Sequence, residues 1–108
     1  MTTVGIIGFG SFGRFLAEKL SSHASVLVYS KGAKPNTWSA SLAQVAQCNY
    51  VILAVPLQSY PDIISQLQGR LADNTVIIDV CSVKQQPIAL LQQAFVTQPI
   101  VATHHFKY

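Results

Sequence analysis

Three glycines near the N-terminus, Gly8, Gly10 and Gly13, have the spacing G-x-G-x-x-G. They follow a short β-branched run, Val4–Ile7, and precede apolar residues at helical spacing, positions 12, 15, 16 and 20. In that setting Gly8 permits a tight turn, Gly10 admits a pyrophosphate to the backbone, and Gly13 lets the helix pack closely. The N-terminus of the helix adds N–H groups and a positive dipole end. The sequence predicts a dinucleotide site at Gly8, Phe9, Gly10, Ser11, Phe12 and Gly13, the alternative being a glycine-rich turn without a ligand.

The residues after the second predicted strand bear on which dinucleotide this is. NAD-binding folds usually place an acidic residue about 20 positions past the loop, where it bonds the ribose hydroxyls. This chain has none between Glu18 and Asp62, and instead carries Ser30, Lys31 and Lys34. A hydroxyl and two ammonium groups suit a 2′-phosphate, which a carboxylate would repel. The pattern favours NADP over NAD. In the alternative, the lysines are solvated loop charges and NAD binds without the acid.

The elements that must position these residues alternate along the chain. Apolar runs predict strands at 4–7, 26–29, 50–55, 75–80 and 100–103, and apolar periodicity predicts helices between them. The third helix is expected to begin with a capping box, Ser59 with Asp62, and to end at Gly69. Such alternation implies parallel pairing through right-handed crossovers. We therefore predict one domain, residues 1–108, with a Rossmann-type, doubly wound parallel sheet in three layers.

The stretch after the second strand is too short for a full helix and strand. Residues 30–38 contain Gly32, Pro35 and Asn36, which favour a loop, with room only for a rudimentary strand near Thr37 and Trp38. A short helix then follows, capped by Ser39 or Ser41.

Composition excludes several classes of protein. Half of the 108 residues are hydrophobic and 10% are charged, which suits a sheet covered on both faces. The longest apolar run, Tyr50–Leu57, falls short of a membrane span, and the N-terminus lacks a signal-peptide pattern. The net charge of +3 comes without a basic cluster, so no nucleic-acid partner is expected. Reduced Cys48 and Cys81 favour a cytoplasmic protein, and no metal-ligand spacing is found.

Further segments resemble one family. They are Val51-Ile52-Leu53-Ala54-Val55-Pro56, Asp79-Val80-Cys81-Ser82-Val83-Lys84 and Val101-Ala102-Thr103-His104. Together with the glycine loop, they resemble the N-terminal NAD(P)-binding domain of prephenate and arogenate dehydrogenases. The phrase Gly5-Ile6-Ile7-Gly8-Phe9-Gly10, with Ser30, is most similar to the NADP-using arogenate members.

The resemblance implies an oxidative decarboxylation in tyrosine biosynthesis, with arogenate or prephenate as substrate. It assigns His104 as the base that takes the hydroxyl proton, a role that suits an imidazole. Ser82 would bond the substrate hydroxyl or orient the histidine. Val55 and Pro56 would lie close to the nicotinamide and its ribose.

Two departures from the family leave alternatives open. After the histidine the family continues Pro-Met-Phe-Gly, whereas this chain continues His105-Phe106-Lys107-Tyr108. Family members also carry a helical C-terminal domain that dimerises and binds the substrate carboxylates, and we expect no such domain within these 108 residues. The alternative functions are a non-catalytic NADP(H)-binding or regulatory module and another reductase of the same superfamily. An apolar surface left uncovered could make the chain a homodimer.

Overall fold

The computed structural model describes residues 1–32, 35–80 and 85–102. Its strands are β1 (Thr3–Ile7), β2 (Ser25–Tyr29), β3 (Tyr50–Leu53), β4 (Val76–Asp79) and β5 (Ile100–Ala102). Its helices are α1 (Ser11–Leu20), α2 (Leu42–Ala46), α3 (Tyr60–Leu67) and α4 (Gln85–Ala94), with a 3₁₀ turn at Leu57–Ser59. The strands form one parallel sheet in the order β2-β1-β3-β4-β5. The predicted alternation and parallel pairing are confirmed.

The sheet is the middle of three layers, as predicted. Alternate residues of a strand point to opposite faces, so neighbours such as Ile6 and Ile7 enter different cores. One face packs against α2, α3 and α4, with Leu53 and Ile77 at its centre. The other packs against α1, where Ala17 is fully buried. Strands with two apolar faces explain the apolar composition.

The buried face of α1 differs from the one that its large apolar residues predict. Gly13 and Ala17 are buried, whereas Phe15 is 39% exposed and stacks on Phe12. Small residues let a helix backbone approach the sheet, and a pattern based on side-chain size misses that contact. The apolar spacing therefore identified the helix but misplaced part of its inner face.

The shortened segment after β2 closes with a single bridge. Ser39 pairs in parallel with Val28, in place of a third strand. Ser41 then caps α2: its hydroxyl accepts a hydrogen bond from the Gln44 backbone, and the Gln44 side chain accepts one from the Ser41 backbone. Of the two predicted caps, Ser41 is therefore correct.

The predicted capping box at Ser59 is wrong. Ser59 lies in the 3₁₀ turn with φ −87° and ψ −10°, and its side chain makes no capping hydrogen bond. A capping residue requires extended backbone, which the turn does not provide. The end of α3 agrees better with the prediction, since Gly69 adopts φ +79° two residues beyond Leu67.

Candidate functional site

The glycine loop joins the end of β1 to α1 at the point where the strand order reverses. The chain leaves β1 towards β2 on one side and later returns to β3 on the other. Open parallel sheets place ligands at such a switch point, outside the carboxyl ends of the strands. The loop therefore occupies the position that the sequence predicts for a ligand site.

Contacts at Gly8 and Gly13 require glycine. Gly8 has φ +110°, and a Cβ there would lie 2.3 Å from the Ala54 carbonyl oxygen. The Gly8 N–H donates to the Tyr29 carbonyl at 2.8 Å, which joins the loop to β2. A Cβ at Gly13 would lie 2.3 Å from the Gly8 carbonyl oxygen. The tight turn and the close helix packing predicted for these glycines are both present.

Gly10 has the opposite environment. Among the described residues, no heavy atom lies within 4 Å of a Cβ built at Gly10, and the residue is exposed. It is the N-cap residue of α1 and provides no side-chain capping hydrogen bond, and the first turn of the helix has no acidic residue. The first turn of a helix leaves N–H groups without intrahelical acceptors. Open space beside these donors fits the pyrophosphate of a dinucleotide.

The other loop residues have distinct surroundings. Phe9 packs against Trp38 of the shortened segment, with ring centroids 6.1 Å apart. Ser11 is exposed at the start of α1. The side chain of Phe9 therefore braces the loop against the second-strand region.

A cavity of about 200 Å³ extends from the loop between β2 and α3. Ile7 and Gly8 lie at its base, and the end of β2 contributes Tyr29, Ser30 and Lys31. The segment between β3 and α3 contributes Val55 and Ser59, and α3 contributes Asp62, Ile63 and Gln66. The structure thus brings together four predicted cofactor residues: Gly8, Ser30, Lys31 and Val55. Pro56 is exposed and is not among the lining residues, and Lys34 lies outside the described residues.

Sequence reasoning missed the wall that α3 provides. Asp62 and Gln66 are one helical turn apart, and the Gln66 side-chain amide donates to the Asp62 carboxylate at 2.9 Å. The carboxylate that is missing from the end of β2 is therefore present across the cavity. The available signal was topological: α3 begins just after β3, whose carboxyl end neighbours that of β1.

A buried polar pair lies at the end of β4. Asp79 and Tyr60 are both 0% exposed, and the Tyr60 hydroxyl donates to Asp79 Oδ1 at 2.5 Å. Asp79 is in register with Ala102 of β5. Ser82 and His104 follow these two strands in the sequence, and both lie outside the described residues.

The fold and the loop define an NAD(P)-binding, oxidoreductase-like α/β domain. A family model described as "prephenate dehydrogenase, nucleotide-binding domain" matches residues 21–106. The chain belongs to that family. The match begins after the glycine loop, so the loop is an observation independent of it.

Solved dehydrogenase structures share the fold. Prephenate dehydrogenase from A. aeolicus, in complex with hydroxyphenyl propionate and NAD⁺, is 21% identical with a TM-score of 0.75 over 96% of this chain and 40% of its own. Synechocystis arogenate dehydrogenase is 18% identical, with a TM-score of 0.75 over 87% of this chain and 38% of its own. Mycobacterium tuberculosis 3-hydroxyisobutyrate dehydrogenase with L-serine is 15% identical, with a TM-score of 0.80 over 96% of this chain and 40% of its own. This chain spans about two-fifths of each of these proteins.

No curated protein sequence matches the chain significantly. In the described part of the chain, no helix combines the length and apolarity needed to cross a membrane. Within residues 1–32, 35–80 and 85–102, no three His, Cys, Asp or Glu side chains are grouped so that they could hold a metal ion.

Proposed function

We propose that this chain is the NADP(H)-binding domain of an oxidoreductase of the arogenate or prephenate dehydrogenase type. The observation that carries the proposal is the glycine loop of a family member. Two of its glycines are required by contacts within the fold, and the third is required by no contact with residues 1–32, 35–80 or 85–102. Space kept open at Gly10, beside the N-terminus of a helix, suits an anionic ligand.

The preference for NADP rests on the wall at the end of β2. Ser30 is partly buried and Lys31 is exposed in the same cavity as Gly8. The residue at this position in dinucleotide-binding domains meets the adenosine ribose, which carries the 2′-phosphate of NADP. A hydroxyl and an ammonium group stabilise a phosphate there.

The family motif suggests how this chain would take part in catalysis. When bound, a nicotinamide dinucleotide supplies the acceptor for the hydride that leaves the substrate carbon bearing the hydroxyl. His104, as a neutral imidazole, accepts the hydroxyl proton while the substrate loses carbon dioxide and becomes aromatic. Ser82 bonds the same hydroxyl or orients the imidazole. Asp79, held by Tyr60 at the end of β4, anchors the start of the segment that leads to Ser82.

The proposal includes the cellular setting. The substrate is a small molecule, arogenate or prephenate, and the protein acts in the cytoplasm. Cys48 is free and buried, and free cysteines persist in reducing compartments.

The experiment is calorimetric titration of the chain with NADPH and NADH, with Lys31→Gln and, as a matched control, Lys19→Gln on α1. We expect tighter binding of NADPH, and about a tenfold loss of that preference in Lys31→Gln alone, since a charged hydrogen bond contributes about 1.5–3 kcal/mol. Absence of binding to either dinucleotide would refute the proposal. Tighter binding of NADH would refute the NADP assignment.

A second candidate function is cofactor binding without turnover. It uses the glycine loop and the cavity beside it and requires no catalytic role for Ser82 or His104. Assays with arogenate and prephenate separate the two. The first function predicts turnover that His104→Asn abolishes while NADPH binding remains, and the second predicts binding with no product at any substrate concentration.

A further inference from the structure

The cavity beside the glycine loop is lined by polar groups from two elements. At the end of β2 these are Ser30 and Lys31, and on α3 they are Asp62 and Gln66. The apolar side chains of Ile7, Val55 and Ile63 line the same cavity. An apolar slot with a polar edge suits a flat heterocycle, whose faces are apolar and whose rim carries donors and acceptors.

The position of the slot indicates which part of a dinucleotide enters it. Residues at the end of the second strand meet the ribose that carries the 2′-phosphate, and that ribose also carries the adenine. The cavity runs from Lys31 across to α3. An adenine ring attached to a ribose at the end of β2 would therefore enter the cavity that Asp62 and Gln66 also line.

The hydrogen bond between these two side chains fixes what they can offer a base. A carboxylate is an acceptor only, and a glutamine amide nitrogen has two N–H groups. One N–H of Gln66 is used on Asp62 Oδ2, at 2.9 Å. The pair then presents a carboxylate acceptor beside an amide donor, which complements the 6-amino donor of adenine and its neighbouring ring-nitrogen acceptor.

We propose that Asp62 and Gln66 determine base specificity by recognising the 6-amino edge of the cofactor's adenine. The inference rests on the proposed function, because it requires a dinucleotide in this cavity. A base with a 6-oxo group and a protonated ring nitrogen, as in hypoxanthine, places an acceptor against the carboxylate and a donor against the amide. Such a base is rejected, since unmatched polar groups cost binding free energy.

A purely structural role for Asp62 has different consequences. Acidic residues in the first turn of a helix interact favourably with its dipole, and polar pairs one turn apart stabilise it. Asp62 is in the first turn of α3 and is exposed. Replacing it would then change stability and weaken binding of every dinucleotide equally, whatever the base.

The experiment compares NADPH with its hypoxanthine analogue by calorimetry, on the wild-type chain, Asp62→Asn and Asp73→Asn. Asp73 is an exposed carboxylate after α3 that does not line the cavity, so it controls for charge. We expect wild type and Asp73→Asn to bind NADPH about fivefold to tenfold more tightly than the analogue, the effect of one or two hydrogen bonds. Asparagine can accept from an amino group or donate to a 6-oxo group, so Asp62→Asn should bind the analogue more tightly than wild type does, and its preference for NADPH should fall.

The outcomes separate this inference from the proposed function. If wild type binds both dinucleotides with equal affinity, base recognition by Asp62 is refuted and dinucleotide binding stands. Equal weakening of both ligands in Asp62→Asn also refutes it, in favour of the structural role. If neither dinucleotide binds to wild type, the proposed function fails, and this inference fails with it.

Discussion

The three glycines of the loop are required for different physical reasons. At Gly8 and Gly13 a side chain would collide with a carbonyl oxygen of the protein itself. At Gly10 a side chain would meet no other atom of the part of the chain that the structure describes. Two glycines therefore serve the fold, and the proposed binding of a dinucleotide accounts for the third.

This difference predicts separable effects of substitution. Gly10→Ala should weaken NADPH binding by more than about tenfold while lowering the free energy of unfolding by at most about 1 kcal/mol, the cost of alanine at an N-cap. Gly13→Ala should destabilise the fold by about 1–3 kcal/mol, the usual penalty for overpacking. Urea denaturation and calorimetry measure the two effects. A Gly10→Ala chain that binds NADPH as wild type does would contradict the ligand-based explanation.

Cys48 gives the stability a dependence on pH. It is 3% exposed between α2 and β3, and burial raises the pKa of its thiol, partly offset by a hydrogen bond with Thr3. The unfolded thiol loses its proton first, so the unfolded state binds fewer protons than the folded state above about pH 8.5. The stability that the folded state gains from the neutral Cys48 thiol is therefore fully present below that pH, and it is lost as the pH rises through the pKa of the folded thiol.

We expect the unfolding free energy of wild type to fall more steeply between about pH 8 and 10 than that of Cys48→Ala. Urea denaturation across this range measures the unfolding free energy of both proteins. The other titrating groups are the same in both, so the difference between the two curves isolates the contribution of Cys48. Parallel curves would show that burial of the thiol does not perturb its ionisation.

At the scale of elements, the bond between Tyr60 and Asp79 ties the start of α3 to the end of β4. Tyr60→Phe keeps the buried ring but removes one hydrogen bond to a fully buried carboxylate, so it should cost about 1.5–3 kcal/mol. Tyr50→Phe is the matched control, because Tyr50 is 39% exposed. Denaturant midpoints should fall for the first variant and barely change for the second. Equal midpoints for the two variants would mean that the bond contributes nothing to stability.

The elements themselves could be predicted because each strand is a continuous apolar run and each run is bounded by glycine, proline or polar residues. The predictions that were wrong concern single residues within correctly predicted elements. Ser59 has the right residue type for a cap, but the 3₁₀ turn gives it helical backbone. Phe15 has the right spacing for the core, but the small residues Gly13 and Ala17 make the contact instead.

The candidate site also has one part that the sequence predicts and one part that it does not. The glycine loop could be predicted because its residues are consecutive and their geometry is local. The α3 wall could not, because Asp62 meets Lys31 in one cavity only after the chain has crossed over the sheet from β2 to β3. A residue's type and spacing do not encode which helix covers which strand ends.

At the scale of the whole molecule, ligand binding should be visible as stability. A ligand that binds only the folded chain stabilises it by about 2.7 kcal/mol at 100 times its dissociation constant. NADPH should therefore raise the thermal midpoint, and Gly10→Ala should reduce the rise at the same NADPH concentration. A scanning calorimetry series over ligand concentration measures this, and an unchanged wild-type midpoint at saturating NADPH would contradict the proposed function.

The position of β1 between β2 and β3 also determines the order in which this molecule can be assembled. β1 is the first strand to be synthesised, yet its neighbours on the β3 side come far later: Thr3 bonds to Asn49, 46 residues along the chain. At a synthesis rate of about 5–20 residues per second, β1 waits seconds for that partner. Parallel pairing allows no strand pair to close through a tight turn, so every contact in the sheet carries a loop-closure cost. The side of β1 that faces β3, next to the glycine loop, therefore cannot pair until the chain has been synthesised as far as Leu53.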